Sequence, residues 1–278
     1  MSKNSIATLL IWFSALLVTA VFLCLLVDIM HQGLTGLSWS YLIEAPQDTG
    51  RSGGIGSIIV STGLILLVAI ATSAPLGLGT AILLTEFMPQ KSTFSAFVER
   101  SLDVLAGIPS IVFDLFGNAF FCIYLDLGFS ILSGGLTLAC MVLPIIISTA
   151  TQGLRAVPND YRLSAAALGM TRSASLLHLL LPAATPALIA GLMLAIGRAG
   201  AETAALIFTS GYVDRMPDSL MDSGRALSIH IYDLSMNVAG GDTNANATAL
   251  VLITLLFIIN SVSTSLANHW MHRRIIRL

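Results

Sequence analysis

Arg198 and Glu202 stand four residues apart, and no other Asp, Glu, Lys or Arg occurs between Arg172 and Asp214. On a helix this spacing places both on one face and within reach of each other. Ionisable groups inside a long apolar run are costly and are either paired or functional. Two readings follow. The pair neutralises itself, or it lines a route for an anion. A guanidinium offers planar donors that suit the oxygens of an oxyanion. A carboxylate beside it keeps such a site weak enough for release. Thr203 adds a hydroxyl beside Glu202, and Ser61 and Thr62 supply others that equally bond their own helix. Ser110 follows Pro109 at a helix start, where free N–H groups and the positive dipole end attract anions, unless the serine simply caps the helix. Asp114 lies one turn further on. It would repel an anion unless it is paired with a cation, protonated or turned away from the path. These charges contain neither a nucleophile nor a ligand set, so no catalytic residue and no metal site is assigned. Cys24, Cys122 and Cys140 lie in apolar stretches without the spacing of a zinc or redox motif.

The elements that hold these residues are membrane helices. The chain has 278 residues, 55% hydrophobic and 10% charged, with a mean hydropathy of +0.87. A soluble domain carries about 25% charged residues. A disordered chain needs the opposite balance, and a formal net charge of −2 supplies no basic face for nucleic acid. A crossing helix needs about 20 mostly apolar residues. Charge-free gaps place such helices at 7–28, 57–85, 130–152, 184–210 and 246–268, with a sixth at 106–125 interrupted by Pro109, Asp114 and Gly117. Pro75 is expected to kink the second. The fold class is therefore an all-α polytopic membrane protein of six transmembrane helices. Counted from the start of its apolar run near Leu188, Arg198 lies roughly ten residues on, about 15 Å at 1.5 Å per residue and near the bilayer midplane. A cleaved signal peptide is the alternative for the first span, but its apolar run is long and no small-x-small site follows.

Lysine and arginine set the orientation. With both termini cytoplasmic, the inside holds Lys3, Lys91, Arg100, Arg155, Arg162, Arg172, Arg273, Arg274 and Arg277, and the outside only Arg51, Arg215 and Arg225. The outer connections are 29–56 and 211–245, the latter containing Leu227 to Tyr232. No loop is large enough for a nucleotide-binding domain and no Walker-type glycine loop occurs, so the chain does not hydrolyse ATP by itself.

The inner connection reads as two short helices at an elbow, about 158–182. Asp160 caps the first, whose body is rich in alanine and leucine. Gly169 ends it, and the second stops before Pro182. Such an elbow presents a knob to a cytoplasmic partner, or lies on lipid as an amphipathic hairpin. The stretch resembles the coupling motif of ABC-transporter permeases, Glu-Ala-Ala-x-x-x-Gly with Leu-Pro ending thirteen residues after the glycine. Ala165, Gly169, Leu181 and Pro182 match, whereas Leu163 stands where the motif has Glu and Ser164 where it has Ala. Gly53-Gly54-Ile55, Ile108 to Phe113, Arg198-Ala199-x-Ala201-Glu202-Thr203, His230-Ile231-Tyr232 and Ala247 to Leu252 resemble the phosphate-specific branch of that family, and most of all its A-type subunits. Asp114 departs from the small residue expected there. His230 and Tyr232 are expected to anchor an amphipathic outer segment at the membrane interface.

The resemblance implies a permease subunit of an ATP-driven phosphate importer in the bacterial cytoplasmic membrane. It implies a homologous permease as heterodimer partner, two ATP-binding subunits and an extracytoplasmic phosphate-binding protein. It implies no cofactor on the chain, ATP being bound by the partners. Residues 1–52 then form an N-terminal helix with its outer loop, and 53–278 the permease core. Rival readings are an importer of sulfate, molybdate or phosphonate, a secondary transporter, for which inverted repeats are missing, and a membrane-embedded enzyme.

Overall fold

The computed structural model describes residues 3–89 and 92–275. Lys91 and Arg277, which enter the charge count, lie outside them. The first helix, α1 (Lys3–Gly36), is continuous and longer than expected. It is followed by the short α2 (Trp39–Ile43) and a two-residue antiparallel hairpin, β1 (Pro46–Gln47) with β2 (Ser52–Gly53). Helix α3 (Gly56–Ile82) runs unbroken through Pro75 and ends in a π turn, Leu83–Phe87.

The segment expected at 106–125 is not one span. Helices α4 (Thr93–Ala106) and α5 (Ser110–Gly117), the latter prolonged by a π turn at Asn118–Tyr124, meet at a bend of 100°. The physical cause lies at Gly107-Ile108-Pro109. Proline has no N–H to donate, and its ring pushes the preceding residue out of the helical region. Among the described residues, five helical segments are long and apolar enough to cross a membrane, or six if the bent pair counts as one span.

Helix α6 (Ile131–Ala156) begins where Ser130 accepts a hydrogen bond from the Ser133 N–H at 3.1 Å. Helix α7 (Asn159–Ala167) starts after Pro158, so Asp160 lies in its first turn and does not cap it. The expected stop before Pro182 is also absent. Helix α8 (Arg172–Ser175) passes through a π turn at Leu176–Leu180 into α9 (Leu181–Gly200). The π turn bonds the Leu181 N–H back to Leu176, and a proline directly after it sits where a shifted bonding pattern already exists. Instead, α9 stops at Gly200, ten residues before the expected end. The chain breaks at 201–203 and resumes as α10 (Ala204–Ile207). Helix α11 (Leu227–Met236) occupies the following loop, and α12 (Asp242–Ile275) closes the chain.

Lipid offers no hydrophobic drive between helices, so close packing of small residues must bring them together. A Cβ at Gly77 would lie 2.6 Å from Ile146, and one at Gly153 2.6 Å from Ala187. Helix α3 is thereby seated on α6, and α6 on α9. Three buried clusters result. The central one joins Ile65, Leu138, Val142, Ala195, Leu206 and Ile229. A second, toward α7, holds Ala81, Leu154, Leu176 and Leu180. The third, toward α11, holds Tyr41, Ile58, Leu227 and Ala247. Helix α1 lies outside all three, its apolar side chains exposed, and rests on α12 where Gly33 meets Asn246.

Candidate functional site

Gly191 meets Thr149 and Gly153 meets Ala187, which fixes the antiparallel register of α9 on α6. In that register Arg198 comes level with Val142, near the middle of α6. Arg198 occupies the last turn of α9, and Glu202 lies beyond the helix end. The i,i+4 geometry is thus not that of a continuous helix. The nearest atoms are 3.9 Å apart, with the Arg198 side chain 50% exposed and the Glu202 side chain 9%. A charge-assisted hydrogen bond is about 2.7–2.9 Å long. The pair is adjacent but not clamped, so the guanidinium keeps its donors open on a face this chain does not cover. Glu202 is held through its backbone, whose carbonyl accepts the Ser228 hydroxyl at 2.6 Å. The sequence pattern did not single out Ser228.

Asp114 is completely buried. Its Oδ1 accepts the Phe208 N–H at 3.3 Å, and one turn on, Asn118 donates to the Phe208 carbonyl at 2.7 Å. The two side chains grip both sides of one residue just past α10. Asp114 forms no ion pair with a cation among the described residues, so of the three expectations the paired one is not met. Its Oδ2 has no hydrogen-bond partner among the described residues. Asn118 was missed, though a polar pair at i,i+4 inside an apolar segment is a signal for it. Ser110 is the first residue of α5, after Pro109 at the cap position, and it makes no hydrogen bond to Arg198 or Glu202 among the described residues. Thr203 stands at the break before α10 and carries no side-chain cap bond. The Thr62 hydroxyl accepts the Leu227 N–H at 2.9 Å and thereby pins α11 to α3, whereas the buried Ser61 hydroxyl has no partner among the described residues.

The expected interfacial role of His230 is corrected. It is 1% exposed, on the buried side of α11. Arg225 approaches its Nδ1 at 3.3 Å and forms an ion pair with Asp233 at 3.4 Å. A donor on Nδ1 leaves the imidazole proton on Nε2, which has no partner among the described residues. Tyr232 does face outward, 45% exposed.

The elbow is ordered by local bonds. Gly169 has φ +70°, the left-handed region that glycine enters without steric cost. The Met170 N–H reaches Ala165 and the Gly169 N–H reaches Ala166, both at 3.0 Å, closing α7 with a Schellman motif. Ala165 is buried, while Ser164 and Leu163 face outward, Leu163 at 62% exposure. Leu181 and Pro182 are half-buried at the start of α9. Arg162, assigned from sequence only to the charge count, holds α7 in place. Its Nε and one Nη bond the Glu86 carboxylate at 3.2 and 2.6 Å. It also donates to the Val157 and Leu154 carbonyls, each at 3.1 Å.

Residues 73–277 match the family model described as the inner membrane component of binding-protein-dependent transport systems. A probable ABC transporter permease protein of Bacillus subtilis, YqgI, is 26% identical, covering 96% of this chain and 94% of its own. The phosphate transport system permease protein PstA of Mycobacterium leprae is 30% identical over 93% of this chain and 86% of its own. PstA 2 of Mycobacterium bovis is 30% identical over 85% and 79%. Among solved structures, an inward-facing methionine ABC transporter, MetNI, superposes with a TM-score of 0.60 at 15% identity, covering 77% of this chain and 96% of its own. A bacterial ABC transporter for import of the acidic polysaccharide alginate also gives 0.60, at 13% identity, over 96% and 98%. These two show the fold.

Proposed function

Because the chain belongs to the family of inner membrane components of binding-protein-dependent transport systems, we propose that it is a membrane-spanning permease subunit of an ATP-driven importer of inorganic phosphate. Relatives named as phosphate permeases over most of its length support the anion. The observation that carries the pathway is the Arg198–Glu202 pair at the break between α9 and α10. A half-open guanidinium at mid-depth is a charge that only an anion or a carboxylate returns to, and the 3.9 Å separation leaves it free for exchange. Phosphate takes the open donors of Arg198, and Glu202 takes them back as it leaves. Ser110, Thr203 and Asp114 complete the pathway set, the first two as hydroxyls and Asp114 as the residue that holds Phe208 beside it.

The knob formed by Leu163, Ser164, Ala165, Gly169, Leu181 and Pro182 docks on an ATP-binding subunit. The chain pairs with a homologous permease, uses two ATP-binding subunits and receives phosphate from an extracytoplasmic binding protein. It carries no cofactor of its own. It sits in the cytoplasmic membrane with the α7 end inside and the α11 end outside. Residues 1–52 are an added helix and outer loop, and 53–278 the working core. The test is uptake by the assembled transporter in vesicles. Phosphate entry requires ATP, and sulfate, molybdate and phosphonate fail to compete. Uptake on an ion gradient without ATP, or transport of another oxyanion in preference, overturns the reading.

A further inference from the structure

Helix α7 has nine residues, of which only Ala165 is buried, so apolar contact alone holds it weakly. Its firm attachment is Arg162. The guanidinium bonds Glu86 in the π turn that ends α3, and the Leu154 and Val157 carbonyls where α6 ends. Those carbonyls lie at the C-terminal end of α6, where a cation is favoured by the helix dipole. The ion pair is shielded, with the Arg162 and Glu86 side chains 28% and 12% exposed. Helices α3 and α6 are the most extensively packed pair in the molecule, locked where Gly77 meets Ile146 and Gly135 meets Val68. One side chain thus ties the projecting helix to both members of the central pair.

We propose that Arg162, through Glu86, is the positioning residue that makes α7 move as one body with α3 and α6, so that a push on α7 reaches the pathway. The proposal rests on α7 docking an ATP-binding subunit, and not on which anion is carried. Lysine cannot replace Arg162, because a single ammonium does not reach a carboxylate and two separate carbonyls in a fixed fork. Leu163, the next residue, points outward from the same helix and takes no part in the tie.

The test uses the assembled transporter with the three cysteines replaced by alanine. Spin labels stand at Asp160→Cys in the first turn of α7 and at Leu76→Cys, an exposed position on α3. Distances are measured with and without nucleotide. In the otherwise unchanged chain the distance stays fixed. In Arg162→Lys, and separately in Glu86→Gln, nucleotide shifts or broadens it. In both variants the subunits still co-purify and hydrolyse ATP, while ATP consumed per anion carried rises severalfold. A merely structural role would lower hydrolysis and transport together. A fixed distance in the variants, a nucleotide-dependent distance in the parent, or hydrolysis that falls in step with transport overturns the proposal. Should Arg162→Lys fail to assemble, Glu86→Gln decides, since it leaves both carbonyl bonds in place. A transporter that carries another anion counts against the phosphate reading and leaves this one standing.

Discussion

Arg198 reaches its nearest carboxylate only across 3.9 Å and has half its side chain uncovered. A guanidinium left that way at mid-depth makes sense where its partner changes during the work cycle. Arg198→Ala is therefore expected to abolish phosphate uptake while the subunits still co-purify. Arg198→Lys should slow uptake roughly tenfold, the size of one lost charge-assisted hydrogen bond of about 1.5 kcal/mol. Normal uptake by the alanine variant would return the pair to mutual neutralisation. His230 makes a different prediction. Burial pushes its imidazole down to about 4, with Arg225 adding to the shift and Asp233 opposing it. The unfolded chain takes up a proton near 6.5, whereas the folded one resists until about 4. Stability is thus intact above pH 6.5 and is lost as the pH falls toward 4, on the order of 3 kcal/mol in full. Thermal unfolding of the purified protein between pH 7.5 and 5 should show this slope, and His230→Gln should flatten it.

Helices with one clean cause were legible before the fold was known. The gap between Asp126 and Arg155 located α6, because a buried helix tolerates no charge and Ser130 supplies a start. Gly169 marked the end of α7, because only the left-handed conformation closes a Schellman motif there. Gly169→Ala should cost about 1–2 kcal/mol from backbone strain alone, since nothing lies within 4 Å of a Cβ at that position. The loss is measurable as faster amide exchange at Met170 and weaker retention of the ATP-binding subunit, with Gly169→Asn milder. What was hidden were changes of course without a composition signal. Ala201-Glu202-Thr203 contains no proline or glycine, yet the helix stops there, where Ser228 holds the Glu202 carbonyl within the break and Asp114 and Asn118 hold Phe208 beyond α10. Pro182 misled for the opposite reason. Proline usually ends a helix, but a π turn before it supplies the altered bonding it needs. Arg162 looked like topology and proved to be a fastening, because the Glu86 that completes it lies 76 residues away.

At the scale of the molecule, charge asymmetry and packing divide the protein the same way. The end with α7 carries most of the arginines, and the end with α11 carries the acidic loop, which sets the orientation proposed above. Met216 and Leu168 are exposed near opposite ends, 51% and 78%. A Met216→Cys variant in intact cells should react with a membrane-impermeant maleimide, and a Leu168→Cys variant only in inverted vesicles. The reverse pattern would invert the topology. The long apolar face of α1, touching mainly α12, belongs against lipid, and removal of residues 1–36 should leave the α3–α6–α9 core folded in detergent.

The two ends are also fastened by different chemistry. Near α11 the cross-links are largely neutral, among them Tyr41 to Asn244 at 3.0 Å, Asn244 to Gly50 at 2.9 Å and Thr62 to Leu227 at 2.9 Å. The one ion pair there among the described residues, Arg225 with Asp233, is 11% and 19% exposed. Near α7 the links between helices are ionic, the open pair Arg155 with Glu99 at 52% and 42% exposure and the shielded pair Arg162 with Glu86 at 28% and 12%. Dissolved salt screens exposed charges over about 8 Å at 0.15 M and over less as it rises. Rising ionic strength therefore weakens the exposed Arg155–Glu99 link first and leaves the shielded pairs, Arg162 with Glu86 and Arg225 with Asp233, nearly as they were, so salt loosens α4 from α6 before it touches the hold on α7.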